Sequence, residues 1–518
     1  MDNIAKLCVG DVSPNGIVSI IDEDRLCYVV LNNSKGASGI RTISKSLLNE
    51  FIDYIITHPD KSPTEIRNEI SGKSSIDKFE YGYASTLLIM AKMAINKYYN
   101  YVGVTNNDNR KVIKTDDITY ISAIKTKPFL ILGGFSGTGK SQKVKELAFA
   151  TCPNDGYLNI NETSPGNYLL VSVKPNWHDS TDIIGFRSSI HNKYYVTDFL
   201  RFLVKAMHFP NVPFFVCLDE MNLAPVEEYF ADFLSVIESR QKTKDGVVVT
   251  DAIIPASVFN DEYNSDFNIF DSLGFERLNN GMTNDDVYDT LFGSFIRTDL
   301  INRLKRQGLT IPQNVIIIGT VNMDDTTNSF SRKVIDRAMT FETVVGKFGD
   351  EYFNSDVALN YVKNPLKGEL FLSDEVRATQ MIDEGRFILT KEEQIKILNF
   401  INNINEDLDG SPFKISYRIL NETILLYRSK KRIAEIMKEE GGLADGVEFK
   451  TDLNTIFDDI LMQKVLPRIE GDYEKCSKCL IKLSSRAENN EWLRSYDKIE
   501  FMIKRFGSDR SGFTSFWN

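Results

Sequence analysis

Cysteine and histidine are scarce in this chain. Six cysteines among 518 residues are too few for a disulfide framework, and the four histidines are scattered without the spacing of metal ligands. Cys476 and Cys479 form a C-x-x-C pair, but no second pair of ligands follows at the spacing of a zinc site. This scarcity excludes a disulfide-stabilised fold and favours two ordinary cysteines in a helix over a metal or redox centre.

Long apolar runs and an excess of positive charge are also missing. No stretch reaches the roughly 18 apolar residues of a membrane helix. Residues 1–10 have no basic start followed by an apolar run, so we expect a cytoplasmic protein with no membrane partner. The formal net charge is −11, which argues against a surface that coats nucleic acid but leaves room for a local basic groove.

The sequence does have the composition of a folded protein, with 42% hydrophobic and 26% charged residues. At roughly 150 residues per domain, its length predicts about three domains. Residues 1–115 are predicted to form an N-terminal α+β module for recognition or interaction. Its strand-like segments are 17–22 and 27–32, its helix-like segments are 44–58 and 81–99, and the polar stretch 104–110 is the predicted linker.

Residues 116–345 alternate short apolar strands with helical stretches, which predicts an α/β core with a mostly parallel sheet between helices. Four strands are nearly continuous apolar runs, as strands buried on both faces should be: 128–132, 168–172, 214–218 and 315–318. A polar insertion at about 240–310 interrupts this core, and its composition fits a functional loop and a disordered segment equally well.

Residues 346–518 are dominated by helical periodicity, which predicts a helical lid and a C-terminal helical region. The clearest helical stretches are residues 395–402, 417–427 and 453–466.

Residues 134–141, GFSGTGKS, fit the pattern of a phosphate-binding P-loop between an apolar strand and a helical run. Glycines let backbone N–H groups turn toward phosphate oxygens, and the following helix points its positive end at them. Lys140 is expected to reach the β and γ phosphates of ATP or GTP, and the Ser141 hydroxyl to bind Mg²⁺. The predicted nucleotide-binding residues of this loop are Gly134, Ser136, Gly137, Thr138, Gly139, Lys140 and Ser141.

Two of the predicted strands end in polar residues, where open α/β sheets bind their ligands. Asp219 and Glu220 follow the strand 214–218; Asp219 would orient Mg²⁺ and Glu220 would activate the attacking water. The alternative is an acidic residue that caps the next element. Asn322 ends the strand that begins at Val315 and can hydrogen-bond the water or the γ phosphate, or simply form a turn.

These segments resemble the McrB family of AAA+ restriction motors. Residues 219–224, DEMNLA, are similar to that family's DE(I/M)N(R/L)A segment, and residues 311–322, IPQNVIIIGTVN, to its GTMN strand. Asn322 and Asp325 keep its N-x-x-D spacing, and residues 173–185, VKPNWHDSTDIIG, resemble a segment that follows the second strand.

The resemblance covers roughly residues 128–345, with a weaker likeness in the helical region after it. It implies an AAA+ P-loop core, a homo-oligomeric ring that is a hexamer in the family, and catalytic roles for Asn222, Asn322 and Asp325 beside Glu220. It also implies DNA and a separate McrC-like nuclease subunit as partners, and we find no convincing nuclease motif in this chain. Nothing in these motifs reads the base, so they leave ATP and GTP both open.

The chain departs from the family where an arginine cluster, RRRF, follows the N-x-x-D strand. Residues 331–341 read SRKVIDRAMTF instead. Arg337 is the candidate for a finger that enters a neighbour's site, with Arg332 second and a surface arginine as the alternative. Arg418 resembles the second-sensor arginine of AAA+ lids, with a solvated residue at a helix start as the alternative. The basic run 428–432 is more typical of a solvated helix end than of a nucleic-acid contact.

Three functions fit these features. The first is a nucleotide-driven ring motor in an McrBC-like restriction or antiphage system, whose N-terminal module recognises DNA or another trigger. The second is a protein-remodelling AAA+ chaperone of the MoxR and dynein-related groups. The third is a nucleotide-gated scaffold that hydrolyses slowly, and an intact Glu220 counts against it.

Overall fold

The fold is known from a computed structural model that describes a large part of the chain. The described residues are 12–13, 16–22, 25–30, 40–44, 115–153, 158, 161–188, 190, 193–244, 246–260, 269–273, 300–323, 330–343, 359–362, 365–439, 449–508 and 512–517. The chain divides into two compact units, residues 1–107 with 274–303, and residues 108–273 with 304–518.

The first unit contains an antiparallel sheet in the order β1-β2-β3-β4. Its strands are β1 (Val12–Ser13), β2 (Gly16–Asp22), β3 (Arg25–Val30) and β4 (Ile40–Ser44). The strands predicted at 17–22 and 27–32 are confirmed as β2 and β3. The predicted helix at 44–58 lies outside the described residues except for Ser44, as do the predicted helix at 81–99 and the linker at 104–110.

The second unit contains the α/β core and the helical region. Its strands are β5 (Phe129–Gly134), β6 (Tyr168–Ser172), β7 (Phe186–Ser188), β8 (Lys193–Tyr195), β9 (Phe214–Asp219), β10 (Gln241–Lys242), β11 (Val248–Val249), β12 (Ala252–Ile254), β13 (Leu309–Thr310), β14 (Val315–Asn322), β15 (Met339–Thr343), β16 (Glu470–Asp472) and β17 (Phe513–Ser515).

Helices of the same unit lie before, between and after these strands. They are α1 (Thr115–Thr126), α2 (Lys140–Thr151), α3 (Thr181–Ile184), α4 (Asp198–His208), α5 (Val226–Tyr229), α6 (Ala231–Glu238), α7 (Ala256–Phe259), α8 (Ile269–Ser272), α9 (Arg332–Ile335), α10 (Ala378–Asp383), α11 (Lys391–Asp407), α12 (Tyr417–Glu439), α13 (Leu453–Ile460), α14 (Tyr473–Asn489) and α15 (Leu493–Ser508).

Five strands form a parallel sheet in the order β15-β5-β14-β9-β6. The four strands predicted in the core are all present, and β15 is a fifth that the sequence did not predict. β5, β9 and β14 are buried along nearly their whole length. The expectation of burial on both faces is wrong for β6, because this strand lies at the edge of the sheet and Leu170 is 47% exposed.

Aromatic side chains pack the sheet against its helices. Phe129 of β5 lies 5.9 Å from Phe230, which stacks on Phe233 of α6 at 4.7 Å between ring centroids. Phe215 of β9 meets Phe371 of the helical region edge-on at 5.9 Å. All five of these rings are at most 2% exposed, so each contributes about 1.5–3 kcal/mol of hydrophobic stabilisation.

The described parts of the predicted insertion form ordered strand pairs. β10 and β11 are antiparallel neighbours, and β12 pairs with β13. These pairs hold both ends of the 240–310 segment close to the core strands, because β13 ends five residues before β14 begins.

The helical region contains the three helices predicted for it, as α11, α12 and α13. Thr390 and Glu393 form a capping box that fixes the start of α11. Among the described residues, none of the helices combines the length and the apolar character needed to cross a bilayer.

Cys476 and Cys479 lie in α14, as the sequence predicted, and both are buried. Burial raises the pKa of the Cys476 thiol to about 12 and also raises that of Cys479. Both sulfurs are therefore protonated at neutral pH, which is unlike the thiolates of metal or redox sites. Within the described ranges there is no group of three or more His, Cys, Asp and Glu side chains able to hold a metal.

Candidate functional site at the carboxyl ends of the central strands

The loop between β5 and α2 has the conformation of an anion-binding turn. Gly137 and Gly139 have φ angles of 80° and 76°, in the left-handed region that glycine enters without strain. Gly134 also has a positive φ, and a Cβ there would lie 2.1 Å from the Thr343 hydroxyl. The 12-residue helix α2 begins at Lys140 directly after this turn, so its unpaired N–H groups and its positive dipole end face the loop.

Lys140 is held inside the loop. Its side chain is buried, and Nζ donates hydrogen bonds to the carbonyl oxygens of Gly134 at 3.0 Å and Phe135 at 2.7 Å. The Thr138 hydroxyl donates to the same Phe135 carbonyl at 2.9 Å. Ser136 and Phe135 are exposed on the outside of the turn. The ammonium therefore lies where it can exchange these carbonyls for phosphate oxygens.

Sheet register brings the predicted polar residues together. In the parallel pairing of β14 with β5, Asn322 lies opposite Gly134, and β9 ends at Asp219 on the other side of β14. Ser141 Oγ, at the start of α2, donates a hydrogen bond of 2.5 Å to Asp219 Oδ1. Asn322 Nδ2 donates to Glu220 Oε1 at 2.8 Å. The cluster of Ser141, Asp219, Glu220 and Asn322 is called the carboxyl-end cluster.

Asn222 is hydrogen-bonded to the backbone of one member of this cluster, Asn322. It lies in the short 3₁₀ turn Met221–Leu223 that follows β9, and it is 3% exposed. Its Nδ2 donates to the backbone carbonyl of Asn322 at 3.2 Å, so the turn after β9 is tied to the end of β14. Asp325, the remaining catalytic candidate, lies outside the described residues.

The segment that resembles the family's post-second-strand motif begins beside the cluster. Val173 N–H donates to the Asp219 carbonyl at 3.2 Å, and Trp177 packs edge-on against Tyr229 at 5.4 Å. The segment then leads to the hairpin of β7 and β8, where Phe186 and Tyr195 are 48% and 40% exposed and stack at 5.1 Å.

Arg337 and Arg418 do not lie with the carboxyl-end cluster but meet on one carboxylate, Glu238, at the end of α6. Arg418 Nη2 is 2.6 Å from Glu238 Oε2, and Arg337 Nε is 3.5 Å from Oε1. Arg418 lies in the first turn of α12, which begins at Tyr417 as the sequence predicted. Arg332, the second finger candidate, donates to the Pro412 carbonyl at 2.7 Å instead. We call Arg337, Arg418 and Glu238 the arginine pair site.

A buried lysine holds the backbone around Arg337. Lys464 is 1% exposed, and its Nζ donates to the carbonyls of Ala338 at 2.7 Å, Asp336 at 3.0 Å and Ile335 at 3.4 Å. It lies in a π-helical turn, Leu461–Val465, and π-turns are frequent at functional sites. The helical region therefore fixes the main chain on both sides of Arg337, while its side chain reaches Glu238.

The basic run 428–432 lies in the middle of α12, so the prediction of a helix end is wrong. The helix continues to Glu439, about two turns beyond the run. Lys430 pairs with Asp459, and Arg432 pairs with Glu369. Lys431 pairs with Glu393 as well, so three of the four cations in the run have a carboxylate partner within the chain.

Two residues of the site were missed from the sequence. Thr320 lies two positions before Asn322 on β14, and a buried polar residue within an otherwise apolar strand was the available signal. Glu238 is 180 residues from Arg418, and no local pattern marks it, because its role depends on how α6, α9 and α12 pack.

Comparisons with known proteins add little to this geometry. A family model described as a domain of unknown function (DUF8727) matches residues 372–511, within the helical region. No curated protein matches the sequence. A crystal structure from Cytophaga hutchinsonii ATCC 33406, described as a "putative ATPase", has 12% sequence identity and a TM-score of 0.36, covering 72% of this chain and 85% of that chain. The case for a function therefore rests on the site itself.

Proposed function

We propose that this chain is a Mg²⁺-dependent nucleoside triphosphatase of the AAA+ type that uses ATP or GTP. The observation that carries the proposal is the 2.5 Å hydrogen bond between Ser141 and Asp219. It joins the first turn of the helix after a glycine loop to the end of a parallel strand. A hydroxyl and a carboxylate side by side at the mouth of such a loop are the side-chain groups that hold Mg²⁺ on a nucleotide.

The donor set fits this ion. Ser141 and Asp219 present hard oxygen ligands, which Mg²⁺ prefers, and leave room for water and phosphate oxygens. When bound, Mg²⁺ neutralises charge on the β and γ phosphates. The residues of the chain do the rest: Lys140 and the N–H groups at the start of α2 bind the phosphates.

Glu220 is the proposed general base. It accepts the proton of the attacking water, and the amide of Asn322, bonded to Glu220 Oε1 at 2.8 Å, fixes the orientation of the carboxylate. Asn222 holds the end of β14 through the Asn322 carbonyl, and Asp325 is proposed as a further catalytic residue. A water between Glu220 and the γ phosphate would give its proton to Glu220 and attack the γ phosphorus in line with the bond to the departing nucleoside diphosphate.

Within this class we propose an McrB-like motor subunit that acts with DNA and a separate McrC-like nuclease. The motifs at residues 219–224 and 311–322 support it. A homo-oligomer, a hexamer by analogy with the family, is part of the proposal, since Arg337 would stabilise the transition state in a neighbouring subunit. Arg418 would contact the nucleotide of its own subunit.

A protein-remodelling chaperone is the second candidate. The β7–β8 hairpin favours it, because Phe186, Tyr195 and Ile190 are exposed together and Ile190 is 88% exposed. Exposed apolar side chains grouped on one hairpin are suited to binding a polypeptide substrate.

The test begins with phosphate release from ATP and GTP by the full chain, with Mg²⁺ and with EDTA. We expect Mg²⁺-dependent turnover of at least one of the two. The absence of both turnover and binding would overturn the proposal. Measuring turnover with duplex DNA over a series of salt concentrations distinguishes the McrB-like motor from the chaperone, because protein–DNA contacts weaken as the salt concentration rises. Stimulation by DNA, and co-elution with a nuclease encoded nearby, support the McrB-like role, whereas unfolding of a model protein substrate supports the chaperone.

A further inference from the structure

Thr320 lies between the two acidic residues of the carboxyl-end cluster. It is 2% exposed in β14. Its hydroxyl donates to Asp219 Oδ1 at 2.8 Å and accepts a hydrogen bond from the Glu220 backbone N–H at 3.0 Å. One hydroxyl thus uses both its donor and its acceptor capacity on two adjacent residues.

The conformation of Glu220 explains why such a contact matters. Its φ and ψ are 52° and 50°, in the left-handed region that is sterically unfavourable for a non-glycine residue. Strained residues of this kind persist only where the surroundings hold them. Glu220 is held at its N–H by Thr320, at its carboxylate by Asn322, and at its carbonyl by the N–H of Leu223 at 2.9 Å.

The side chain of Asp219 is held in a similar way. Its Oδ1 accepts one hydrogen bond from Ser141 on α2 and one from Thr320 on β14. The Ser141 hydroxyl is the group expected to turn toward Mg²⁺ when nucleotide binds. Thr320 is then the contact that keeps Asp219 in place during that change.

Close packing of β14 against the turn after β9 makes the arrangement possible. A Cβ at Gly319 would lie 2.3 Å from the sulfur of Met221. Thr320 and Asn322 are two residues apart, so they lie on the same face of β14. That face therefore presents a hydroxyl to the backbone of Glu220 and an amide to its carboxylate.

We propose that Thr320 is a positioning residue for triphosphate hydrolysis: its hydroxyl fixes the backbone of Glu220 and the carboxylate of Asp219 relative to each other. This inference rests on the proposed function. Thr320 need not contact the nucleotide in this role. Removing its hydroxyl is therefore expected to lower the rate of hydrolysis without a comparable loss of affinity for nucleotide.

The experiment compares Thr320→Val, which keeps the shape and removes the hydroxyl, with Thr320→Ser, which keeps the hydroxyl. The matched control is Thr340→Val: Thr340 is a buried threonine of β15, 1% exposed, whose Oγ1 makes no hydrogen bond to the rest of the described chain. In the full-length protein, kcat, the Kd for a fluorescent non-hydrolysable triphosphate, and Tm are measured for each variant.

We expect Thr320→Val to lower kcat about 10- to 100-fold, the range for misplacing a catalytic group by up to about 1 Å. Its Kd should stay within about threefold of wild type, because binding uses other residues. Thr320→Ser should recover most of the rate, and Thr340→Val should match wild type in both quantities.

Three results overturn the role of Thr320 alone, given an active wild type. They are an unchanged kcat in Thr320→Val, an equal loss of kcat in the serine variant, and a loss of affinity as large as the loss of rate. A wild-type chain that neither binds nor hydrolyses a triphosphate refutes the proposed function, and the role of Thr320 fails with it.

Discussion

The carboxyl-end cluster and the arginine pair site are held together by different forces. The first depends on the register of parallel strands, where backbone ladders fix β5, β14 and β9 side by side. The second depends on ion pairs between side chains that are 22–36% exposed, from elements far apart in the chain. A sheet register shifts only as a whole, whereas partly exposed ion pairs contribute about 0–1 kcal/mol and exchange readily.

This difference separates a fixed part of the site from a movable one. Lys464 fixes the backbone beside Arg337, so only the arginine side chain is free to leave Glu238. In the proposed mechanism the strand-end members of the cluster, Asp219, Glu220 and Asn322, stay in place from one state to the next, and the arginines exchange a carboxylate for phosphate. Four substitutions test this contrast, from the largest expected effect on turnover to the smallest.

Lys140→Ala should remove measurable turnover, because it deletes the cation closest to the β and γ phosphates. Truncating one member of a desolvated charge contact costs about 2–5 kcal/mol, which is about 30-fold or more in affinity. Titration with a fluorescent triphosphate measures this loss of affinity as a change in Kd. Lys145→Ala, on the same helix, is the control, and an unchanged Kd in Lys140→Ala would show that the glycine loop is not a phosphate site.

Arg337→Ala should lower turnover about 10³-fold while each subunit still binds nucleotide, if Arg337 acts as an arginine finger. Mixing it with Lys140→Ala should restore part of the activity, because some interfaces then pair an intact loop with an intact finger. A finger that acts within its own subunit gives the same loss without rescue, and a surface arginine gives no loss. Arg332→Ala, measured in the same assay, tests the second finger candidate, whose side chain donates a hydrogen bond to the Pro412 carbonyl in the helical region.

Glu220→Gln should bind nucleotide and hydrolyse it about 100-fold more slowly, the scale of general-base loss. The amide oxygen can still accept the hydrogen bond from Asn322, so the geometry is kept while the base is removed. Light scattering should show an assembled state that persists with triphosphate. Glu227→Gln, an exposed change on α5, is the control. Turnover at the wild-type rate would show that another group activates the water.

The sequence predicts the cluster because each part of it follows a local pattern. Apolar runs mark β5, β9 and β14, and the polar residues that end them lie at one edge of a parallel sheet. β15 reads MTFET, a mixed pattern with no continuous apolar run, so it was not predicted. The exposure of β6 was missed because edge position is a property of topology rather than of the strand itself.

The arginine pair site shows where local patterns stop being informative. Arg337 is a candidate by its position after the strand that ends at Asn322, and Arg418 by its resemblance to a second-sensor arginine. Neither pattern points to their common partner Glu238. The basic run at 428–432 was placed at a helix end because charge clusters favour such positions, whereas α12 continues to Glu439. The partners of these cations, Asp459 and Glu369, are brought to them by tertiary packing.

Glu238→Gln should have the smallest effect of the four substitutions, and it should favour turnover rather than reduce it. It weakens the ion pairs of Glu238 with both arginines while leaving the arginines intact. Glu238 holds Arg418 at 2.6 Å and Arg337 at 3.5 Å, and each partly exposed pair contributes at most about 1 kcal/mol. If these pairs compete with contacts made in the assembly, their loss should lower the protein concentration for half-maximal turnover by about two- to fivefold. The rate at saturating protein should not change. Turnover measured across a protein dilution series tests this, with Glu227→Gln as the matched control. Combining Glu238→Gln with Arg337→Ala should reduce the gain, since both changes remove the Glu238–Arg337 pair and their effects on that pair cannot be additive. A midpoint that rises instead would mean that Glu238 supports the interface, and the arginine pair site would then belong to the fixed part of the molecule.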